Sequence, residues 1–201
     1  MFRTNCYLIK NEETGEGFII DPGEHPKELM EAANEAGVRL CAVLLTHGHL
    51  DHFRAAEKIR ETLNIPIYAQ SEELPLLADG ERNLTLRFLR HSITLEGVLP
   101  LSDNHEFEIA GTRIRVLHTP GHTVGGCCYY LWEEGVLFSG DTLFYRSVGT
   151  TDFPGGNSRI LADSIRNRIY PLPPETVVYP GHGESTTVGE ERLENPFVTA
   201  D

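Results

Sequence analysis

Three imidazoles and one carboxylate fall within six residues in the segment Thr46-His47-Gly48-His49-Leu50-Asp51-His52. A cluster this dense suits a cation. With nine histidines among 201 residues, chance alone places such a pattern in fewer than about one chain in a thousand of this composition. The cluster holds no cysteine, which argues against a purely structural, Cys-rich zinc site and for a catalytic one. Imidazole with carboxylate suits zinc first, and iron or manganese as well. One ion takes three or four protein ligands, and four groups in so tight a turn do not all reach one ion comfortably. They are expected to divide between two divalent ions, with further ligands from elsewhere in the chain.

The other candidates lie in turns that follow strands. His122 sits in Thr119-Pro120-Gly121-His122-Thr123 and His182 in Tyr179-Pro180-Gly181-His182-Gly183, both glycine-rich turns suited to close backbone approach. Asp141, in Ser139-Gly140-Asp141-Thr142, follows the apolar run Val136-Leu137-Phe138. No Gly-x-Ser-x-Gly elbow or Walker-type loop competes for the chemistry.

These residues need elements to position them. Thr4 to Lys10 and Gly17 to Asp21 read as strands around a polar turn, the second stopped by Asp21-Pro22-Gly23. Pro26 to Ala36 carries Leu29, Ala32, Ala33 and Ala36 at helical spacing, with Gly37 in place to end the helix. Leu40 to Thr46 is a nearly unbroken apolar run, as in a strand buried on both faces, and it ends at the histidine cluster. That is where α/β proteins put their sites. A helix over Phe53 to Leu63 and a strand over Ile65 to Ala69 continue the alternation.

Residues 71–104 have weak periodicity and read as a variable insertion with a short helix from Ser71. Within it, Arg87-Phe88-Leu89-Arg90-His91 reads as a solvated face rather than a substrate contact. Strands over Phe107 to Ile109, Thr112 to Leu117, Cys127 to Trp132 and Val136 to Ser139 supply a second sheet-forming run. A helix from Ser158 to Ile169, a strand from Thr176 to Tyr179 and a short helix near Val188 to Glu194 follow. No Gly/Ser-rich or Pro-rich linker divides the chain, so residues 1–201 read as a single domain.

Composition narrows the partners. Hydrophobic residues make up 40% and charged ones 23% of the chain, the balance of an ordinary globular protein. Thirty acidic against seventeen basic residues give a net charge of −13, which argues against nucleic acid, since phosphate binding is driven by Lys and Arg. No apolar run approaches the roughly 20 residues that span a bilayer, and the start MFRTNCYLIK lacks the regions of a signal peptide. A cytoplasmic location and a small-molecule substrate are the expectation. Cys6, Cys41, Cys127 and Cys128 read as reduced thiols; the adjacent pair points to opposite faces of a strand and does not readily bridge.

The ordered set of ligands resembles the metallo-β-lactamase superfamily, whose pattern is a His-x-His-x-Asp-His loop, a Gly-His, an Asp after a strand and a late Gly-His. All seven positions match in order. Gly140-Asp141-Thr142-Leu143-Phe144, Asp152-Phe153-Pro154-Gly155-Gly156 and the ending from Tyr179 through Asn195-Pro196-Phe197 are similar to the short, single-domain glyoxalase II-like hydrolases. The resemblance implies an α/β fold, a four-layered αβ/βα sandwich. It implies one ion on His47, His49 and His122, a second on Asp51, His52 and His182, and Asp141 bridging, with Asp21 as an outer carboxylate that orients a ligand. Two cations sharing a water lower its pKa from about 15.7 toward neutrality, so the expected reaction is attack by the shared hydroxide on a thioester such as S-D-lactoylglutathione. Asp51 and Asp141 are the expected catalytic carboxylates.

Two departures bear on substrate. Glyoxalase II enzymes carry a helical C-terminal domain whose basic residues grip glutathione, whereas nineteen residues follow His182 here. Thr150 stands where the short relatives show an arginine; Arg146, with Tyr145 beside it, is the candidate substrate contact in its place. Weak discrimination for glutathione thioesters is expected. The resemblance also leaves open a persulfide dioxygenase with one iron on His47, His122 and Asp141, a lactonase, and an inactive metal-binding module.

Overall fold

The computed structural model describes residues 3–199. Its first sheet, in the order β1-β2-β3-β4-β5, comprises β1 (Tyr7–Lys10), β2 (Glu16–Ile20), β3 (Arg39–Leu45), β4 (Ile67–Gln70) and β5 (Leu99–Leu101). β1 runs antiparallel to β2, and β2 through β5 are parallel. The later strands are β6 (Glu106–Ile109), β7 (Thr112–His118), β8 (Cys127–Leu131), β9 (Val136–Gly140), β10 (Leu143–Phe144), β11 (Ser147–Val148), β12 (Val177–Pro180) and β13 (Thr186–Thr187). Six of these form a second sheet in the order β13-β12-β9-β8-β7-β6, and β10 pairs with β11 as a small ribbon.

Strand alternation explains the layering. Phe18 and Ile20 of β2, with Ala42 and Leu44 of β3, face Val116, Cys127, Tyr129 and Phe138 of the second sheet in one apolar cluster. Their neighbours Ile19, Val43 and Leu45 point the other way, against helices. Because successive side chains on a strand alternate faces, a strand apolar on both faces must be covered on both. Two helices, α1 (Pro26–Glu35) and α3 (Ala56–Leu63), cover the outer face of the first sheet through Ala33, Ala56 and Ile59. The second sheet is covered by α6 (Ser158–Ser164), its π-helical continuation Ile165–Ile169, and α7 (Val188–Glu194) through Leu161, Ile165, Ile169 and Val188. The result is the four-layered αβ/βα sandwich. Cys127 and Cys128 enter opposite clusters, and all four cysteines are free thiols.

Three expectations are corrected. The helix anticipated over Phe53 to Leu63 is two, α2 (Leu50–Phe53) and α3, because the Ala55 N–H donates to the Pro22 carbonyl at 2.9 Å and leaves the helical ladder. The first strand begins at Tyr7, not Thr4; residues 4 and 5 pair instead with the His182 loop, where Asn5 N–H donates to Gly181 O at 2.7 Å. Segment 71–104 holds the expected short helix from Ser71, a turn over Ser71–Glu73 that runs into α4 (Leu74–Leu77), but it is not a mere insertion, since it also supplies the edge strand β5 and the helix α5 (Thr85–Leu89). Among the described residues no helix is long and apolar enough to cross a membrane.

Candidate metal centre

Four strands deliver the candidate ligands to one edge of the sandwich. β3 leads into His47 and His49, with Asp51 and His52 on α2; β7 leads to His122, β9 to Asp141 and β12 to His182. Glycine makes two of these approaches possible. A Cβ at Gly181 would overlap Asp141 Oδ1 and His52 Cε1, and one at Gly140, whose φ is +49°, would overlap the Thr46 side chain. The Gly-His and Gly-Asp pairs are therefore packing requirements as much as turns.

All seven residues converge. The ligand atoms of His47, His49 and His122 lie within 4.8 Å of one another, and so do those of Asp51, His52 and His182. His49 Nδ1 is 2.9 Å from His122 Nε2, close to the roughly 3.3 Å between two nitrogens on one tetrahedral ion with bonds of about 2.0–2.1 Å. Asp141 spans the two groups: its Oδ2 is 3.6 Å from His122 Nε2 and 3.4 Å from His182 Nε2, and its Oδ1 is 3.5 Å from His52 Nε2. Asp51 Oδ2 lies 3.4 Å from His182 Nε2 and accepts the Thr4 hydroxyl at 2.7 Å.

The donor set fits cations. Buried Nε2 atoms of His47, His49 and His52 and Oδ1 of Asp141 have no hydrogen-bond partner among the described residues. Buried polar atoms are otherwise almost always paired, because leaving one unpaired costs about 1–3 kcal/mol. Ions coordinated by His47 Nε2, His52 Nε2 and Asp141 Oδ1 would remove that cost at those atoms, whereas His49 presents Nδ1 to His122.

Outer contacts fix the ring orientations. Buried Asp21 accepts from Thr46 N–H at 2.7 Å, Thr46 Oγ1 at 2.6 Å and His52 Nδ1 at 2.9 Å. Asp21, His47 and His52 also offer ligand atoms within 4.8 Å of one another, and the three donors on Asp21 suit it to orienting His52. His122 Nδ1 donates to Thr150 O at 2.7 Å and His182 Nδ1 to Arg3 O at 3.0 Å. In each case Nδ1–H is occupied and Nε2 is left to face the centre. At position 150 the backbone carbonyl makes this contact, so it does not depend on which side chain stands there.

The electrostatics differ between the halves. Burial foremost, then the imidazoles around it, drives His47 well below the usual histidine range; burial and His122 take His49 down to about 3, and burial lowers His122. In the other half burial opposes protonation but is outweighed. Asp141, Asp21 and Asp51 push His52 up to about 9, and hydrogen bonds to Asp141 and Asp51 push His182 up to about 11. The same imidazoles hold Asp51 and Asp141 below the usual carboxylate range, against burial, which would raise them.

Glu73 was not foreseen. Fully buried after β4, it accepts from Gly48 N–H and Gly125 N–H, each at 2.8 Å, and so ties the His47–His49 loop to the loop bearing His122. Burial raises its carboxyl above the usual range despite those bonds. No motif or spacing marks it, because its partners are backbone groups far along the chain.

Beside the centre opens a cavity of about 410 Å³. His49, Asp51, His122, Asp141 and His182 form one wall, and Leu84, Phe88, Phe144, Val148 and Phe153 form the other. Neither Tyr145 nor Arg146 lines it. Arg146 turns to α7, where it pairs with Glu194 at 2.5 Å and donates to Glu190 O at 3.2 Å, with its guanidinium 5.2 Å from the Tyr145 ring centre. The charge expected at the substrate is thus committed elsewhere.

Residues 1–182 match the family described as Metallo-beta-lactamase superfamily. The chain is 36% identical over 203 residues to the protein named Hydroxyacylglutathione hydrolase GloC of Haemophilus influenzae, covering 99% of this chain and 94% of the relative. Among solved structures it is similar to the BLEG-1 B3 metallo-beta-lactamase, with a TM-score of 0.91 and 39% identity over 98% of this chain and 95% of that one. It is also similar to TTHA1623 in a di-iron-bound form, with a TM-score of 0.85 and 38% identity over 97% and 95%.

Proposed function

As the chain belongs to the metallo-beta-lactamase superfamily, we propose that it is a binuclear, metal-dependent hydrolase of thioesters, S-D-lactoylglutathione or a related hydroxyacyl thioester. One observation carries this reading: Asp141 stands between two separate ligand groups, 3.6 Å from His122 and 3.4 Å from His182. A mononuclear centre on His47, His122 and Asp141 would use three of these seven residues. The di-iron form of TTHA1623 supports two ions, and the printed name of the GloC relative supports the substrate class.

Divalent ions bound here supply Lewis acidity at a carbonyl and acidify water at neutral pH. The chain's own residues do the rest. His47, His49 and His122, held neutral by burial, offer lone pairs without first losing protons. Asp51 and Asp141 line the cavity as carboxylates, and Asp51, steadied by the Thr4 hydroxyl, is the group that takes up and releases the proton at the partly open His182 side. Leu84, Phe88 and Phe153 exclude water from the opposite wall and hold the substrate's apolar stem against the centre.

The test follows thioester cleavage and oxygen uptake together in metal-replete protein and in Asp141→Ala. Hydrolysis without oxygen consumption, lost by at least a hundredfold in the variant, is expected. Oxygen uptake with a persulfide and no turnover of a thioester would overturn the reading.

A further inference from the structure

The cavity has the candidate ligands on one wall and apolar side chains on the other, and a cation lies against two rings of that apolar wall, outside the lining itself. Arg87, on α5 between the cavity residues Leu84 and Phe88, places its guanidinium 5.6 Å from the Phe88 ring centre and 5.4 Å from that of Phe153. The residue is exposed, and no ion pair among the described residues includes it. Arg146, by contrast, faces the Glu194 carboxylate, and Arg115, also stacked on an aromatic ring, faces Glu106. A guanidinium stacked on aromatic faces keeps its N–H edge available for a planar anion such as a carboxylate.

The position of Arg87 is built, not incidental. α5 is bracketed by left-handed residues, Leu84 at φ +70° and Arg90 at φ +62°, a conformation that persists in bulky residues only where the surroundings impose it. Buried Asn83 imposes it at the start: its amide donates to Leu77 O and Ile93 O, and its Oδ1 accepts from the Thr85 N–H and hydroxyl. Asn83 O in turn accepts from Leu50 N–H at 3.0 Å. The turn that leads into the helix carrying Arg87 is therefore bonded to the first residue of α2, within the segment that carries His49, Asp51 and His52.

We propose that Arg87 is the specificity residue for a carboxylate at the remote end of the substrate. The inference rests on the thioester reading above and deepens it. Ring steps of 5.4 Å from Arg87 to Phe153 and 5.5 Å from Phe153 to His49 put the guanidinium within about 11 Å of the His49 ring. Three extended peptide residues cover that span, at about 3.3–3.6 Å each. In a chain of net charge −13, an anionic substrate gains little from the long-range field. A local cation such as Arg87 must then supply the recognition.

The experiment compares glutathione with the neutral thiol N-acetylcysteamine as ligands of the metal-loaded protein, by calorimetry, and their lactoyl thioesters as substrates. Arg87→Glu is expected to weaken glutathione binding at least tenfold and to cut the kcat/KM preference for the glutathione thioester over the neutral one at least tenfold, mainly through KM. Arg87→Lys should keep more of the preference than Arg87→Glu. Absence of glutathione binding by the wild-type protein, a preference unchanged within twofold, or equal losses in the two variants would overturn the inference. Arg87-dependent glutathione binding without thioester turnover would instead remove the hydrolase reading and leave Arg87's role standing.

Discussion

Nδ1 of His52 donates to Oδ2 of Asp21 across 2.9 Å, with both side chains buried. The bond fixes which imidazole nitrogen faces Asp51 and Asp141, and it ties the end of β2 to the ligand segment after β3. Asp21→Ala removes that orientation and leaves the Thr46 N–H without its partner. Outer partners of metal-binding histidines are worth about 10–100-fold in affinity, so competition with a chelator should show one of two ions bound at least tenfold more weakly. Unchanged affinity for both would contradict this role.

Glu73 predicts a stability effect separate from catalysis. Glu73→Ala strands the buried Gly48 and Gly125 N–H groups, at about 1–3 kcal/mol each. Urea unfolding of the metal-free protein should lose about 2–6 kcal/mol by that count, and a loss below about 1 kcal/mol would show that the two loops hold their places without it.

Metal uptake should depend on pH in one half of the centre. With His49 at about 3 and His47 and His122 also lowered, an ion entering that trio displaces no proton near neutrality. His52 at about 9 and His182 at about 11 must each release one. Calorimetry in buffers of different ionisation enthalpy should show about two protons leaving with the second ion, and its affinity rising with pH. Equal proton release for both ions would contradict the assignment.

Acid should destabilise the metal-free fold. Between 6.5 and about 3 the unfolded chain binds a proton at residue 49 that the folded chain does not, so stability falls as pH falls through that window. Asp51 and Asp141, lowered from 3.8, add to the loss as pH drops further. His52 and His182 act oppositely: their contribution is complete below 6.5 and is lost as pH rises through about 9 and then about 11. Denaturant midpoints measured against pH should follow a dome with a steep acid side.

The candidate ligands were legible in the sequence because a strand buried on both faces announces itself as an apolar run, and Leu40 to Thr46 ends directly on His47. The layering was not readable from the strands themselves; it came with the family likeness. Short elements escaped: β5 and α5 span three and five residues, less than two turns or periods of any repeat. Glu73 escaped for another reason, since its partners, two backbone amides far along the chain, carry no spacing signal. Arg146 misled because its charge is in the expected stretch of chain while Glu194, far along it, captures the side chain.

The central claim is that two ions share Asp141, and elemental analysis of metal-replete protein tests it most directly. Two equivalents per chain are predicted for the wild-type protein, falling toward one in His182→Ala and Asp51→Ala. One equivalent in the wild-type protein, unchanged by either substitution, would contradict the binuclear centre.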